Sequence, residues 1–500
     1  MVGAGRCAGL IAIVGLAWLL RLLYLGQDYS HPDEPIAVRV VRYMHQSGDW
    51  DTNWRKAELP PMFKYDQYNF SSYLYAALLF AEAVGSFEVW TLRLFSAICA
   101  GLTVFVLALV AWKSRRVLIL FTATLLTALA PILVQDAHYA RPEAFTALLT
   151  MLVVWLCWPR ETAPVWRALL AALLVGVVCA CKVSQVFFAW MPLLPLVDAW
   201  GKSGPRRGWR LALGIAGVGL MLCVGFVATV PGVVRHPDVW LHGLAVLKQQ
   251  YSSFHPGQSH PGGTPVGDLL FRYFGATLGW TTMALFLLGG LAQLRRRAWH
   301  TLLLVWLPVL VFFAYFAIGP VFFERNLSHV IPLYLLGAGY GTAALYACAE
   351  RWLTDRRLTL RLVVGLLLVA QAAAPAHWSR RLVFRVFSRD DARARADYGA
   401  QVAAAHPTPA AVEAYLACLY TDEIDQAVHA GRVPVRVCLW DIGDETSAAN
   451  LRRFLATYNA TPIGYFRGAF SRLPPCTLQA YGSWMQHYYL ARGPVAATGQ

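Results

Sequence analysis

The sequence predicts an all-α polytopic membrane protein of about 11 transmembrane helices plus juxtamembrane helices, followed by a small C-terminal α/β soluble domain. Three observations predict it. Hydrophobic residues make up 57% of the 500-residue chain and charged residues only 14%, whereas a soluble domain carries roughly 25% charged residues. The apolar residues gather in stretches long enough to cross a bilayer. The basic residues sit in short runs between those stretches: Lys113-Ser-Arg-Arg116, Lys202 with Arg206-Arg207 and Arg210, Arg295-Arg296-Arg297, and Arg356-Arg357. The formal net charge of +15 therefore reads as cytoplasmic loops under the positive-inside rule. It does not read as a nucleic-acid surface, since no basic face with base-reading chemistry accompanies it.

Candidate spans lie near 8–25, 90–112, 117–134, 143–158, 166–182, 184–200, 209–231, 273–293, 301–318, 328–348 and 360–376. The first follows Arg6 and ends Arg-Leu-Leu-Tyr-Leu-Gly-Gln, without the small-residue cleavage site of a signal peptide, so it reads as a retained span. Arg6 and the basic loops 113–116, 201–210, 295–300 and 351–361 should share the cytoplasmic side. All of them do so only if a further apolar stretch, 71–85, does not cross; it reads as a juxtamembrane or re-entrant helix. Residues 26–89, 135–142, the turn at Lys182–Ser184, 232–272, 319–327 and the tail from 377 then lie outside. The tail reads as α/β, with helix-like 392–405 and 447–457 and a strand-like Val433–Trp440. Seven of the ten cysteines fall in apolar stretches, where cysteine acts as a small hydrophobe. Cys418, Cys438 and Cys476 leave room for one bridge and one free thiol.

The segment His31-Pro32-Asp33-Glu34-Pro35 opens the outer region. Proline favours the first helical position and acids favour the helix start. A helix from Pro35 to about Ser47 follows, with Ile36, Val40 and Met44 along one stripe suited to a membrane surface. On this reading Asp33 and Glu34 serve as a cap. A second polar segment, Gln135-Asp-Ala-His-Tyr-Ala-Arg-Pro-Glu143, falls on the same side of the membrane, which points to one shared site. His255, Gln258 and His260 belong to a Pro/Gly-rich outer loop that reads as plain surface.

The helix leads to Gly48-Asp49-Trp50, then to Phe63-Lys64-Tyr65 and Ser72-Tyr73-Leu74-Tyr75. Later come Arg93-Leu-Phe-Ser-Ala97, His138-Tyr139-Ala-Arg141-Pro142-Glu143, Cys181-Lys182, and Glu324-Arg325-Asn326 ahead of a span with Pro332. In order and sidedness this set resembles the GT-C membrane glycosyltransferases, in particular bacterial relatives of the protein O-mannosyltransferases and the aminoarabinose transferases. The resemblance covers about residues 1–350. Two positions depart from the pattern: Asp66-Gln67 stands where relatives often have Pro-Ser or Pro-Pro, and Glu143 stands where Asp is common.

The resemblance implies a polyprenyl-phosphate-sugar donor, a multi-pass protein of the bacterial inner membrane, and an active site on the periplasmic side. Residues 1–376 would form the catalytic transmembrane domain, with 26–89 as its first periplasmic loop, and 377–500 a periplasmic domain. Direct displacement inverts the anomeric carbon and asks for two things: a carboxylate to take the acceptor's proton, and cations for the departing phosphate. Asp33 is the expected base. Glu34 shares that role, orients the acceptor or binds a cation. Arg93, Arg141, Lys182 and Arg325 are outer-side cations at span ends, expected at the donor phosphate; the alternative is that they snorkel to the interface. His31, Lys64, Tyr65, His138, Tyr139 and Glu143 are the expected substrate-binding groups, although His138 and Tyr139 are equally readable as loop packing. A divalent cation could share His31, Asp33 and Glu34, but hard cations take more oxygens than this set offers, so no metal is assigned. The acceptor, whether lipid, glycan or protein, stays open. The rival class is a transporter, such as a flippase of lipid-linked sugars, which would show internal repeats and broken helices near the midplane.

Overall fold

The computed structural model describes residues 2–27, 33–59, 66–159, 164–200, 207–252, 265–319, 324–352, 357–416, 422–441, 445–467 and 485–493. His31, Lys64, Tyr65 and the 255–260 histidine loop lie outside these residues. The chain begins with helix α1 (Val2–Leu22), followed by α2 (Glu34–Ser47) and α3 (Ser71–Val84). Gly48 ends α2 in the left-handed region, φ +68°, which only glycine adopts without strain. The stripe of Ile36, Val40 and Met44 is buried against α3 and Trp54. It faces protein, not a lipid surface as the sequence predicted. Asp33 makes no side-chain bond to the α2 start, so the expected cap is absent and its carboxylate is directed elsewhere. Helix α3 has 14 residues, about 21 Å at 1.5 Å per residue, which is short of a hydrocarbon core of about 30 Å. It packs on α2, α4 (Val89–Trp112) and the eighth helix described below.

Next come α5 (Val117–Leu129), α6 (Pro131–Ala137), α7 (Pro142–Cys157) and α8 (Val165–Cys181). Helices α5 and α6 form one apolar run bent by 54°. The cause is Pro131, which has no N–H to donate and cannot continue the helix behind it. The orphaned carbonyls at the break are satisfied from other helices. Arg21, fully buried in α1, donates to Thr127 O and Ala128 O at 3.0 Å, and Ser379 Oγ donates to Leu129 O at 2.8 Å. The bend lays α6 against α4 and the helix Arg357–Arg381 and leads the chain to the start of α7.

A 3-10 turn (Val183–Phe188) leads to α9 (Leu193–Trp200), α10 (Arg207–Thr229), α11 (Gly232–Arg235), α12 (Pro237–Ser252) and α13 (Pro265–Gly267). A π-helical stretch (Asp268–Thr277) meets α14 (Trp280–Arg295) at 104°, turning at Gly279 with φ +96°. Then follow α15 (Trp299–Thr301), α16 (Leu307–Ile318), α17 (Ile331–Trp352) and α18 (Arg357–Arg381). Among the described residues five helices are long and apolar enough to cross a membrane, or up to seven if each bent pair is one span. The main core lies among α4, α5, α7, α8, α14, α16 and α17. Helix α18 carries Pro375 inside it and runs on through a π-helical turn to Phe387. The boundary expected at 376 therefore falls within a helix.

Lipid gives helices no hydrophobic reason to pair, so close packing decides. Where α14 crosses α17, a Cβ on Gly341 would overlap the backbone of Leu285, and one on Gly289 that of Gly337. Gly341→Ala is expected to cost about 1–3 kcal/mol as an overpacked contact, read as a lower thermal midpoint in detergent. Gly365→Ala in α18, which meets open space, is the control and should not lower it. Equal midpoints for the two variants would show that the helices part freely.

The C-terminal part begins with α19 (Asp391–Ala405), capped by Asp390 accepting from Arg393 N. It continues as β1 (Ala410–Tyr415), α20 (Asp422–His429), β2 (Val435–Asp441), α21 (Glu445–Tyr458), β3 (Thr461–Arg467) and β4 (Met485–Ala491). The sheet order is β1-β2-β4-β3, with β1–β2 parallel and the other pairs antiparallel. Val435, Val437 and Leu439 pack with Ile424, Phe454 and Tyr458 on one face. Cys438, Trp440 and Tyr488 meet Tyr398 and Val402 of α19 on the other. The expected helices 392–405 and 447–457 fall within α19 and α21, and the expected strand 433–440 overlaps β2, which starts two residues later, at Val435. Cys438 is a buried free thiol; Cys418 and Cys476 lie outside the described residues.

Candidate active site

The polar side chains converge because each sits where a helix begins or ends. Asp33 precedes α2. Arg141 precedes α7, whose first turn holds Pro142 and Glu143, the arrangement that a helix N-terminus favours. Lys182 follows the last residue of α8. Arg325 and Asn326 lie in a 3-10 turn (Glu324–Leu327) ahead of α17. Four segments distant in sequence thus deliver charge to one place.

Two linked networks result. In the inner one, Arg93 holds Glu34 with two parallel bonds of 2.7 Å, Nε to Oε1 and Nη2 to Oε2. Arg93 also donates to Leu25 O and Gln27 O, and Ala140 N donates to Glu34 Oε1 at 2.8 Å. Both side chains are almost wholly buried. This geometry bears on two expectations. Glu34 is held by a guanidinium and a backbone amide, leaving it poorly placed to move a proton. Arg93 is spent on Glu34 and two carbonyls, leaving it poorly placed to receive a phosphate. Together they tie the starts of α2 and α4 to the end of α1 and the turn before α7.

In the outer network, Arg141 bridges two carboxylates. Its Nη1 lies 2.7 Å from Asp33 Oδ2, and its Nε and Nη2 lie 3.1 and 3.0 Å from Glu143. Lys182 Nζ donates to Glu143 Oε1 at 2.9 Å and to Asn326 Oδ1 at 3.2 Å. Arg325 lies 3.5 Å from Asp33 and 3.9 Å from Glu143. This ion-paired network holds two acids and three cations, an excess of one positive charge. Burial is graded across it. Glu143 and Arg141 are sealed, while Asp33 is 20% exposed and Lys182 and Arg325 are each 13% exposed. The accessible edge therefore carries one carboxylate beside two cations.

The structure brings Asp33, Arg141, Glu143, Lys182 and Arg325 together. Glu143 sits among the cations and not on the open edge. His138 is fully buried, with its ring nitrogens 2.7 Å from Val134 O and 2.9 Å from Leu23 O, and it stacks on Phe387. Tyr139 is buried against the same phenyl ring. Both pack the α6–α7 turn against α1 and the end of α18, the loop-packing alternative. Asp66, where the sequence departs from the related pattern, locks its loop. Burial raises its pKa, but bonds from Asn53 at 2.9 Å and Arg55 at 3.0 Å outweigh this and hold it below the usual carboxylate range.

Sequence reasoning missed the groups behind the network. Asp136 is buried within electrostatic reach of Glu143, Arg141 and Lys182, and its Oδ2 has no hydrogen-bond partner among the described residues. Ser328 Oγ is buried facing Asp136, Gln185 Oε1 is buried without a hydrogen-bond partner among the described residues, and Gln185 Nε2 lies 3.2 Å from His329 Nε2. The signal for Asp136 was present, an acid at the end of an apolar run just after Pro131. Among the described residues no trio of metal-ligating side chains gathers.

No protein-family model matches the chain, and no curated protein matches it by sequence. Solved structures do match. ArnT from Cupriavidus metallidurans bound to undecaprenyl phosphate superposes with a TM-score of 0.55 at 15% identity, over 97% of this chain and 98% of that one. The oligosaccharyltransferase of Archaeoglobus fulgidus, tethered with an acceptor peptide containing the NVT sequon, gives 0.52 at 11%, over 82% of this chain and 62% of that one. AglB from the same organism, with an inhibitory peptide and a dolichol-phosphate, gives 0.51 at 12%, over 75% and 56%. At these identities the likeness is one of fold.

Proposed function

We propose that this chain, which has the fold of the GT-C membrane glycosyltransferases, is an inverting glycosyltransferase. It moves a sugar from a polyprenyl-phosphate carrier to an acceptor on the periplasmic side of a bacterial inner membrane. The observation that carries the reading is the open edge of the outer network, where Asp33 stands beside Lys182 and Arg325 in a network with one positive charge in excess. The neighbours' bound undecaprenyl phosphate and dolichol-phosphate support a lipid-phosphate donor.

The chemistry follows from the geometry. A phosphate entering the edge competes with Asp33 Oδ2 for the guanidiniums of Arg141 and Arg325. As it takes them, it frees Oδ2. The acceptor oxygen then attacks the anomeric carbon while its proton passes to Asp33. The bond to the phosphate oxygen breaks, and the electron pair leaves with the phosphate, stabilised by Lys182, Arg325 and Arg141. A single displacement inverts the anomeric centre and needs no carboxylate nucleophile. Glu143 holds the three cations in place, and Asp136, Ser328 and Gln185 are the buried polar groups left to meet sugar hydroxyls.

Lys182 decides the donor half of this mechanism. Lys182→Ala should lower transfer from a labelled polyprenyl-phosphate-sugar in proteoliposomes by roughly 10²–10³-fold, the scale of one lost anion-stabilising donor, and should weaken binding of polyprenyl phosphate. Unchanged turnover and binding would remove Lys182 from the donor site. The transport reading gains one feature from the two bent helix pairs. It would be favoured by movement of a lipid-linked sugar across the bilayer without any transfer.

A further inference from the structure

A cavity of about 390 Å³ lies between α19 and the sheet of the C-terminal part, apart from the charge cluster of the membrane helices. Its origin can be read from the sequence. The residues that α19 turns towards the strands include Ala392, Ala396 and Gly399, which are too small to fill the space that α20 and α21 fill on the opposite face. A Cβ on Gly399 would sit 3.1 Å from Tyr488 Oη, tighter than ordinary contact, so glycine also lets the helix lie close at that end. The floor is the sheet face of alternating residues: Arg436 and Trp440 on β2, Gln486 and Tyr488 on β4, and Glu413 on β1.

That floor has the chemistry of a binding surface. The Arg395 guanidinium lies 4.8 Å from the centre of the Trp440 ring. Trp440 Nε1 donates to Glu413 at 3.4 Å, and Tyr488 Oη donates to Gln486 Oε1 at 2.7 Å on the buried floor. Neither Arg395 nor Arg436 is ion-paired among the described residues. Arg436 Nη1 donates to His406 O at 3.3 Å, and two guanidiniums without an acid partner against one carboxylate leave the lining positive. Guanidinium forks match a carboxylate with two parallel bonds. A half-buried indole, a phenol, an amide and a carboxylate around a small cavity suit a polar ring with one apolar face and several hydroxyls. The volume falls at the lower end of the roughly 300–1,000 Å³ of small-molecule sites, room for one ring and not for an extended chain.

We propose that this cavity is a second ligand site, for a single sugar unit bearing a carboxylate. Arg395 leaves the Trp440 face it covers to meet the carboxylate with Arg436, the sugar ring takes its place along the indole, and Glu413 and Gln486 take hydroxyls. The site is independent of the transfer chemistry assigned to Asp33.

The test uses the full-length protein in detergent, titrated by calorimetry and saturation-transfer NMR with methyl glucuronoside, methyl glucoside and inorganic phosphate. The glucuronoside should bind saturably, the neutral glucoside at least tenfold more weakly, and phosphate should not displace it. The double variant Arg395→Gln with Arg436→Gln should lose at least tenfold in affinity with an unchanged thermal midpoint. If that variant is destabilised, Trp440→Phe gives a second reading, since it keeps a ring but removes the bond to Glu413, and should weaken binding severalfold. Absence of saturable binding, equal affinity for glucoside and glucuronoside, or displacement by phosphate would overturn the proposal. So would full affinity in the double variant of normal stability, which would place any binding elsewhere in the molecule.

Discussion

Asp33→Asn is expected to lower sugar transfer by roughly 10²–10⁴-fold, the usual contribution of a positioned base, while the protein folds normally. The amide keeps the shape of the carboxylate and cannot take the acceptor's proton. Stability should change little, because Asp33 is the partly open member of its network and Arg141 keeps its two bonds to Glu143. Donor binding should persist or tighten, since Arg141 and Arg325 lose a competing carboxylate. The decisive measurement is turnover of a labelled polyprenyl-phosphate-sugar, set beside binding of the carrier and a melting curve. Full activity in Asp33→Asn would remove the residue from the mechanism. Lost activity with lost folding would leave Asp33 a structural residue.

The neighbouring acid should behave in the opposite way. Glu34→Gln, or Arg93→Met, leaves one buried charge facing a neutral partner, and breaking a buried pair costs about 3–5 kcal/mol. The expected readout is poor yield of folded protein and a much lower thermal midpoint. Replacing both, as Glu34→Met with Arg93→Leu, should recover much of that loss, because a well-packed apolar pair is often as stable as a buried ion pair. The backbone amide of Ala140 and the carbonyls of Leu25 and Gln27 would then lack partners, so full recovery is not expected. A Glu34→Gln protein that melts normally but transfers no sugar would return Glu34 to the chemistry. Adjacent in sequence and alike in charge, Asp33 and Glu34 are thus separated by one experiment each.

Cations and acids in this protein are assigned by where helices end. Arg21 has no role legible in the sequence, where it only marks the end of the first apolar stretch. Its function is visible only once Pro131 has broken the neighbouring helix and exposed carbonyls for it to satisfy. His138 illustrates the converse. Histidine beside tyrosine in a polar loop reads equally as ligand contact or loop packing, and the ring nitrogens lie 2.7 and 2.9 Å from backbone carbonyls.

The sequence by itself determined the solvent. Apolar stretches of span length, separated by basic loops, leave little alternative to a helical bundle in lipid, because backbone groups there must pair within their own helix. It also placed Asp33–Glu34 and the 135–143 segment on one side, and the helices α19 and α21 and strand β2 in the tail, since these follow from local pattern. Only the tertiary structure decided which carboxylate is open and which is closed. Residues 33 and 34 differ by about 100° around a helix axis. That rotation turns Glu34 into Arg93 and leaves Asp33 at the edge with Lys182 and Arg325. The acidic pair is therefore one residue closed by Arg93 and one proposed base, a division that no local pattern encodes because it depends on partners 59 to nearly 300 positions away.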